Sequence, residues 1–290
     1  MLTIQTPAKI NPVLEVLGSR PDGFHELALV FQAVGLYDLL TFKKRPQGTV
    51  LSVENAPGLA ADDSNLIVKA AKLFLSEILR DAAGVEITLQ KKIPMAAGLG
   101  GGSSDAAATL RGLQWLFEIP VSEEKMGQMA ARLGSDVNFF LTGGTALGAG
   151  RGEAITPWKG PVSSLPVVLI KPSQGLSTAA VYQSGRALIT SGGRARSFQE
   201  VWAQGSASSM GDHLFNGLEP AAFDLRPEVE QIKKRLMKEG ALGALLSGSG
   251  PTVFALAADE KEAQKIASQF EGGEMEVMVT QTVSTGVQRI

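Results

Sequence analysis

A glycine-rich segment is the part of this sequence best suited to bind a phosphorylated ligand. The run Pro94–Ser104 contains four glycines and ends in two serines. An alanine- and leucine-rich stretch follows and predicts a helix from 103 to 117. Glycine permits positive φ and a close approach of backbone to ligand, and successive N–H groups ahead of a helix form an anion site. The segment predicts a phosphate-binding loop; the alternative is a ligand-free turn with serine helix caps.

Several nucleotide-binding and hydrolase classes are excluded by what surrounds these glycines. No Gly-Lys-Ser/Thr follows, so the segment is not a Walker A loop, and Ser103 stands where the dinucleotide fingerprint needs its last glycine. The sequence has neither His-Arg-Asp nor Asp-Phe-Gly, which excludes a protein-kinase fold. The Gly-x-Ser-x-Gly elbow of serine hydrolases is also missing.

A second cluster of small residues, Ser247–Gly250, lies between two apolar segments that predict strands. Small residues there could bring this turn close to the backbone of the glycine-rich segment. An ordinary tight turn is the alternative.

Two charged residues beside apolar stretches are candidate catalytic groups. Lys9 is the one charged residue in the stretch 4–13, and Asp136 lies between the end of a predicted helix and an apolar run. A carboxylate next to buried surface can act as a base. The alternatives are a surface lysine whose stem covers apolar surface and a helix-cap aspartate. His25 follows the turn signal 21–23 and, taken alone, fits a strand position.

Composition narrows the possible partners and cofactors. The 290 residues are 44% hydrophobic and 19% charged with a net charge of −2, so a packed core is expected and a broad basic surface for nucleic acid is not. With no cysteine and two histidines, disulfides, Fe–S clusters, cysteine nucleophiles and multi-histidine metal sites are excluded. The longest apolar run, 165–170, is too short to span a bilayer, and no secretory signal is evident. We expect a cytoplasmic protein without a nucleic-acid, membrane or protein partner.

The hydrophobic pattern predicts an α+β fold in two domains. Three prolines in the stretch 157–166 mark a candidate boundary, which predicts domains at 1–160 and 161–290. A helix is expected to begin near the cap-forming residues Asp62–Ser64. Predicted strands lie at 13–17, 25–31, 39–42, 49–53, 85–90, 166–171 and 276–284, and further helices at 122–133, 227–239 and 259–270.

Taken together, these segments resemble the GHMP kinase superfamily of small-molecule kinases. The loop ending in Ser103-Ser104 and the later Ser247–Gly250 match two of its motifs. Pro7–Asn11 together with Arg20–His25 is similar to the branch that acts on a cytidyl substrate. The resemblance covers nearly the whole chain with the motifs in the family's order.

The resemblance implies a fold and an activity. It implies an N-terminal domain like domain 2 of ribosomal protein S5, a ferredoxin-like C-terminal domain and an active site between them. The implied reaction transfers the γ-phosphoryl of ATP, with Mg²⁺, to the 2-hydroxyl of a methylerythritol carrying a cytidine diphosphate, in the non-mevalonate isoprenoid pathway. Two alternatives remain: another GHMP kinase with a different acceptor, and a catalytically inactive nucleotide-binding relative.

The resemblance also assigns site residues. It implies that Lys9 and Asp136 are the catalytic pair. It places Asn11, Phe24 and His25 at the cytidyl substrate, with Tyr182 as a further stacking candidate. The residues implied for ATP are Asn65, Leu66, Pro94, Met95, Ala96, Ala97, Gly98, Leu99, Gly100, Gly101, Gly102, Ser103 and Ser104. The region of Lys91 and Lys92 is also implied to lie near the adenosine.

This sequence departs from the family pattern at three positions. Pro12 stands where the family has an aliphatic residue, so the strand after Lys9 is expected to begin differently, because proline is tolerated only at strand starts, edges or bulges. Asn138 replaces a proline, which predicts a less rigid loop around Asp136. Phe24 replaces a tyrosine and keeps the ring without the hydroxyl.

Overall fold

Two β-sheets covered by helices form the framework of the chain in a computed structural model that describes residues 1–160, 164–204 and 207–290. The strands are β1 (Leu2–Ser19), β2 (His25–Arg45), β3 (Thr49–Glu54), β4 (Gly84–Gln90), β5 (Thr145–Gly150), β6 (Ala154–Pro157), β7 (Pro166–Lys171), β8 (Phe215–Asn216), β9 (Gly243–Leu246), β10 (Val253–Leu256), β11 (Glu276–Gln281) and β12 (Gln288–Arg289). The helices are α1 (Leu66–Leu79), α2 (Gly101–Phe117), α3 (Glu123–Leu133), α4 (Val137–Thr142), α5 (Thr178–Gln183), α6 (Arg194–Gln204), α7 (Ala207–Asp212), α8 (Glu219–Leu225), α9 (Pro227–Lys238) and α10 (Glu260–Ser268).

The first sheet is built on the long antiparallel pair β1–β2. Its path is β12-β1-β2-β4-β3, while β5 pairs with β2, β6 with β5 and β8 with β1. The second sheet has the order β11-β7-β10-β9, with antiparallel neighbours. Since β7, β9, β10 and β11 are its first to fourth strands in sequence, the order is 4-1-3-2, that of a ferredoxin-like domain. The predicted α+β fold with a ferredoxin-like second part is confirmed.

Buried apolar side chains connect the two sheets. One cluster packs α1, α2 and the first sheet together, and another packs α9 and α10 on the second sheet. A third cluster contains Ile10, Val30 and Leu99 from the first part of the chain and Phe254 and Leu256 from the second. Burial of this shared cluster, at about 25 cal/mol per Å² of apolar area, holds the two sheets in a fixed relation.

The sequence prediction divided β2 in error. Strands were expected at 25–31 and 39–42, but the chain remains extended throughout His25–Arg45. Gly35, which lies between the two expected segments, allows a close approach of the second sheet, because a Cβ there would lie 3.2 Å from the Thr280 hydroxyl oxygen.

The start of α1 and the position of Pro12 also differ from expectation. Asn65, not the stretch 62–64, is the N-cap of α1, and its side chain accepts a hydrogen bond from the Ile67 N–H. β1 runs unbroken past Pro12, because the register shifts between Ile10 and Val13. Pro12 therefore lies in a bulge, where no ladder donor is needed.

The predicted domain boundary stays a prediction. Residues 161–163, which begin the predicted second domain, lie outside the described residues. Two later segments return to the first sheet, since β8 and β12 both pair with β1. Within the described residues, no helix is long and apolar enough to cross a membrane.

Candidate active site

A cavity of about 960 Å³ lies where the two parts of the chain meet. It is bordered by β1, the start of β2, the glycine-rich loop, the residues before α4, and α5. Nearly all of the sequence-predicted site residues line it together. These are Lys9, Asn11, Phe24, His25, Asn65, Leu66, Asp136, Tyr182 and the loop residues 94–103.

Lys9 and Asp136 meet in this cavity as an ion pair. Lys9 Nζ lies 3.5 Å from Asp136 Oδ2, and the Lys9 side chain is 5% exposed against 30% for Asp136. The ammonium also donates to Asn11 Oδ1 over 2.6 Å. Asp136 precedes α4 but makes no side-chain cap hydrogen bond. Its carboxylate therefore faces Lys9 instead of serving the helix, which removes the helix-cap alternative.

A backbone hydrogen bond joins the glycine-rich loop to Lys9. The Lys9 N–H donates to the Leu99 carbonyl over 3.0 Å. Gly100 has a φ of 73° and is the N-cap of α2, a conformation that glycine adopts without strain. A Cβ on Gly100 would lie 2.7 Å from a Phe140 ring carbon and 3.0 Å from Lys9 Cγ. The loop can thus pass between Lys9 and the core only as glycine.

The turn Ser247–Gly250 packs directly on this loop. The Ser247 hydroxyl donates to the Gly98 carbonyl over 3.0 Å. A Cβ on Gly98 would overlap the Ser247 carbonyl oxygen. The Thr252 N–H donates to the Ala97 carbonyl over 3.3 Å. The hypothesis that small residues bring the two backbones together is confirmed.

Ser104 does not face the cavity. It is fully buried, its hydroxyl donates to the Pro7 carbonyl over 2.6 Å, and a second hydrogen bond joins it to the Thr6 hydroxyl. The Ser104 N–H is also used, since it donates to the Gly100 carbonyl. Because its polar groups are engaged inside the protein, Ser104 anchors α2 to β1, and we do not include it among the proposed ATP contacts.

Aromatic side chains border the end of the cavity nearest the turn between β1 and β2. The rings of His25 and Tyr182 lie 5.1 Å apart at a tilt of 33°. Burial, together with the negative charge of Asp136, raises the pKa of the Tyr182 phenol. Phe24 is 52% exposed, and the Arg151 guanidinium carbon lies 4.7 Å from its ring centroid. This end can stack on a flat ring.

Asn11 lines the cavity and also makes two hydrogen bonds within the protein. Its amide oxygen accepts from Lys9, and its amide nitrogen donates to the Val30 carbonyl over 3.2 Å. Asn11 therefore positions the Lys9 ammonium, although it also lines the cavity.

Asn138 also has a hydrogen-bond partner, because its amide donates to the Glu153 carbonyl over 3.2 Å. This hydrogen bond holds the segment next to Asp136 to Glu153, at the position where the family has a proline.

Sequence reasoning expected the Lys91/Lys92 region near the nucleotide but missed Arg151 and the two carboxyl partners of Lys91. Arg151 lines the cavity from the turn between β5 and β6. Behind the loop, Lys91 donates to Asp38 and, over 2.9 Å, to Asp105 Oδ2. Burial raises the pKa of Asp105 to about 8, the Asp38 charge adds to this, and Lys91 opposes it. Burial lowers the pKa of Lys91, but the two carboxyl groups outweigh it and raise that pKa overall. No sequence spacing signals this cluster.

Comparison with known proteins agrees with this architecture. Residues 65–144 match the model for the GHMP kinases N terminal domain, and residues 197–274 match that for GHMP kinases C terminal. The chain is 43% identical to 4-diphosphocytidyl-2-C-methyl-D-erythritol kinase of Pelotomaculum thermopropionicum, covering 97% of this chain and 98% of that protein. It is 42% identical to the protein of the same name from Moorella thermoacetica, covering 98% and 99%.

Solved structures agree as well. A crystal structure of 4-(cytidine 5′-diphospho)-2C-methyl-D-erythritol kinase superimposes with a TM-score of 0.81 at 33% identity, over 97% of this chain and 100% of that one. A homoserine kinase from Cytophaga hutchinsonii reaches a TM-score of 0.76 at 20% identity, over 100% and 97%, and so shares the fold. The shared domains and the identity over nearly the full length place the chain in the GHMP kinase family, among the 4-diphosphocytidyl-2-C-methyl-D-erythritol kinases.

Proposed function

We propose that the cavity transfers the γ-phosphoryl group of ATP to the 2-hydroxyl of 4-diphosphocytidyl-2-C-methyl-D-erythritol, with Lys9 and Asp136 as the catalytic pair. The observation that carries the proposal is their ion pair, which lies at the junction of the glycine-rich loop and the aromatic end of the cavity. The identity to relatives of that name over nearly the whole chain supports the substrate.

The phosphate end of the site works through backbone groups and charge. Phosphoryl transfer requires mainly positioning and charge stabilisation from the protein. The loop from Gly98 to Gly100 leads into the N-terminus of α2, whose N–H groups and dipole suit the triphosphate. Lys9 lies against Gly100 and offsets negative charge on the group being transferred.

Asp136 acts on the hydroxyl group that receives the phosphoryl group. Its carboxylate is the exposed member of the ion pair, so a substrate hydroxyl can reach it. It accepts the hydroxyl proton or orients the hydroxyl toward the γ-phosphorus. Lys9 pairs with the Asp136 carboxylate, and Asn11 holds Lys9 in place.

Mg²⁺ enters this proposal as part of the ATP complex. Among the residues described, no group of three or more histidine or acidic side chains could hold a metal. Magnesium in kinase sites commonly uses phosphate oxygens, water and one or two carboxylates, so most of its ligands here would come from ATP and water. When bound, the ion would neutralise phosphate charge. We also propose a cytoplasmic location, where ATP is available.

The function is tested by comparing acceptors. Purified protein with ATP should phosphorylate 4-diphosphocytidyl-2-C-methyl-D-erythritol and leave homoserine and mevalonate unchanged, as followed by product mass. Preferred phosphorylation of either other acceptor would assign the chain to a different GHMP activity. Nucleotide binding without turnover on any acceptor would support the catalytically inactive alternative.

His25 should determine discrimination between cytosine and uracil. A neutral imidazole has one donor and one acceptor nitrogen, which suits the cytosine edge, and Phe24 and Tyr182 can cover the ring faces. Uracil reverses the pattern at positions 3 and 4, and each unpaired buried group costs about 1–3 kcal/mol. We expect cytidine 5′-diphosphate to compete with the substrate much better than uridine 5′-diphosphate.

The matched variants are His25→Ala and His213→Ala. His213 is the chain's other histidine, exposed and bonded to the Ser209 carbonyl, so its loss should leave the preference intact. His25→Ala should weaken the preference for cytidine more than it weakens ATP binding. Equal inhibition by both nucleotides, unaltered in His25→Ala, would show that His25 only fills a strand position.

A further inference from the structure

Segment 282–290 runs from the second sheet back across the first sheet and contacts the short helix that follows Asp136. The Val283 N–H donates to the Ala33 carbonyl of β2 over 2.9 Å, and β12 pairs with β1. Between these two attachments the segment passes the end of α4. A part of the chain far from Asp136 in sequence therefore contacts the helix that begins at this residue.

The contact with α4 joins two backbones that only glycine allows to lie so close. A Cβ on Gly286 would lie 2.5 Å from the Phe140 carbonyl oxygen and 2.9 Å from the Gly143 nitrogen. A Cβ on Gly143 would overlap the Gly286 backbone. The Val287 N–H donates to the same Phe140 carbonyl over 3.4 Å. The end of α4 therefore has no room to move toward the segment.

Two aromatic rings of α4 pack against the catalytic groups from below. Phe139 stacks on Phe31 with ring centroids 4.9 Å apart, and the Lys9 ammonium lies 5.9 Å from the centroid of Phe31. The Phe140 ring lies against the glycine-rich loop, since a Cβ on Gly100 would come within 2.7 Å of it. The position of α4 is therefore linked to the position of the ammonium and of the loop.

The position of α4 depends on such contacts. The helix has six residues, and a helix this short is not stable by itself. At 1.5 Å per residue it is about 9 Å long, so a displacement at the Gly143 end also displaces Asp136 at the other end. A misplacement of about 1 Å can lower a catalytic rate by about a hundredfold.

We propose that segment 282–290 is a positioning element of the active site. Gly286 and Val287 hold the end of α4 and thereby place the Asp136 carboxylate at its distance from Lys9. Neither of the two residues lines the cavity, so both act through α4. The inference rests on the proposed role of Asp136 in phosphoryl transfer and adds the part of the chain that sets its position.

The Gly286→Ala variant tests the contact. The φ of Gly286 lies outside the left-handed region, so alanine adds no backbone strain, but its Cβ must displace the segment from Phe140 and Gly143. Turnover at saturating ATP and acceptor should fall by about 10- to 100-fold. Gly273→Ala makes the same change where nothing lies within 4 Å, and it should leave turnover unaltered.

Repeating the change in the Asp136→Asn variant separates positioning from a general loss of packing. Substitutions that act on the same group are not additive. If Gly286→Ala acts by displacing the carboxylate, it should lower the residual single-turnover rate of Asp136→Asn by less than about threefold. A general loss of packing would lower the rate by the same factor in both proteins.

A second pair of variants removes packing without adding an atom. Val283 and Val287 are both half-buried against the same core cluster, but the Val283 N–H donates to β2 and the Val287 N–H donates to α4. Val287→Ala should lower turnover more than Val283→Ala does, and this difference should disappear when Asp136 is replaced by asparagine. The pair decides the matter where Gly286→Ala does not fold.

Equal turnover in Gly286→Ala and Gly273→Ala would overturn the inference while the proposed function stands. An equal fall with and without the Asp136 carboxylate, or equal turnover in the two valine variants, would do the same. Normal turnover in Asp136→Asn alone would instead contradict the proposed role of Asp136, and the inference would fall with it.

Discussion

Turnover of the Asp136→Asn variant should fall by about 10²–10⁴, the range that a positioned general base contributes. The change keeps the size of the side chain and removes its charge. ATP affinity should stay nearly unchanged, because the loop binds the phosphates through backbone groups. Stability should fall somewhat, because the buried Lys9 ammonium loses its ion-pair partner, although no helix cap is lost. Steady-state and single-turnover rates with saturating ATP measure the effect.

The control for Asp136 is Asp212→Asn, which changes an exposed carboxylate at the end of α7. It should leave turnover unaltered. Near-normal turnover in Asp136→Asn would exclude Asp136 from catalysis. A drop well below a hundredfold would indicate that Asp136 orients the hydroxyl and that the transition state needs little proton removal.

The Gly100→Val variant should lose measurable ATP binding and turn over at least about a hundredfold more slowly. Two effects combine: valine is strained at a φ of 73°, and its Cβ would collide with Phe140 and Lys9. Gly101→Val should act similarly, because its Cβ would come within 2.8 Å of Lys91 Nζ. Circular dichroism should show a folded protein, and calorimetry should show the lost affinity.

Two further variants separate backbone strain from contact. Gly185 has a φ of 69° and open space around it, so Gly185→Val carries the strain without the collision and should keep ATP binding. In Gly102→Ala, the added Cβ would contact only Leu66 Cδ1, at 3.6 Å. The fold should therefore tolerate this substitution. A fall in ATP affinity in Gly102→Ala would then report direct approach of the ligand. Full ATP affinity in Gly100→Val would mean that the nucleotide binds elsewhere.

The sequence predicted those site residues that stand in a segment of distinctive local composition. Clustered glycines, a lone lysine in an uncharged stretch and an aspartate at an apolar border identify positions without knowledge of the fold. Lys9 and Asp136 are far apart in sequence, yet each has local features that single it out. Their meeting followed from the family resemblance and is seen in the ion pair.

The remaining features depend on tertiary contacts that no local pattern encodes. Asp38 and Asp105 come to Lys91 from other elements, and each alone looks like an ordinary polar residue. The unbroken β2 was missed because only the segments 25–31 and 39–42 were assigned to strands. Gly35 lies between them, and its small size admits Thr280 of the second sheet. Pro12 was compatible with a strand start, an edge or a bulge, and only the pairing of β1 with β2 shows that it lies in a bulge.

Identification of the phosphorylated position tests the central claim most directly. The protein, ATP, Mg²⁺ and 4-diphosphocytidyl-2-C-methyl-D-erythritol should give a single product, with the new phosphate on the 2-hydroxyl. In the NMR spectrum its phosphorus should couple to carbon 2 and to the methyl carbon attached there. Phosphate found on another hydroxyl, or no transfer by protein that binds both substrates, would contradict the account.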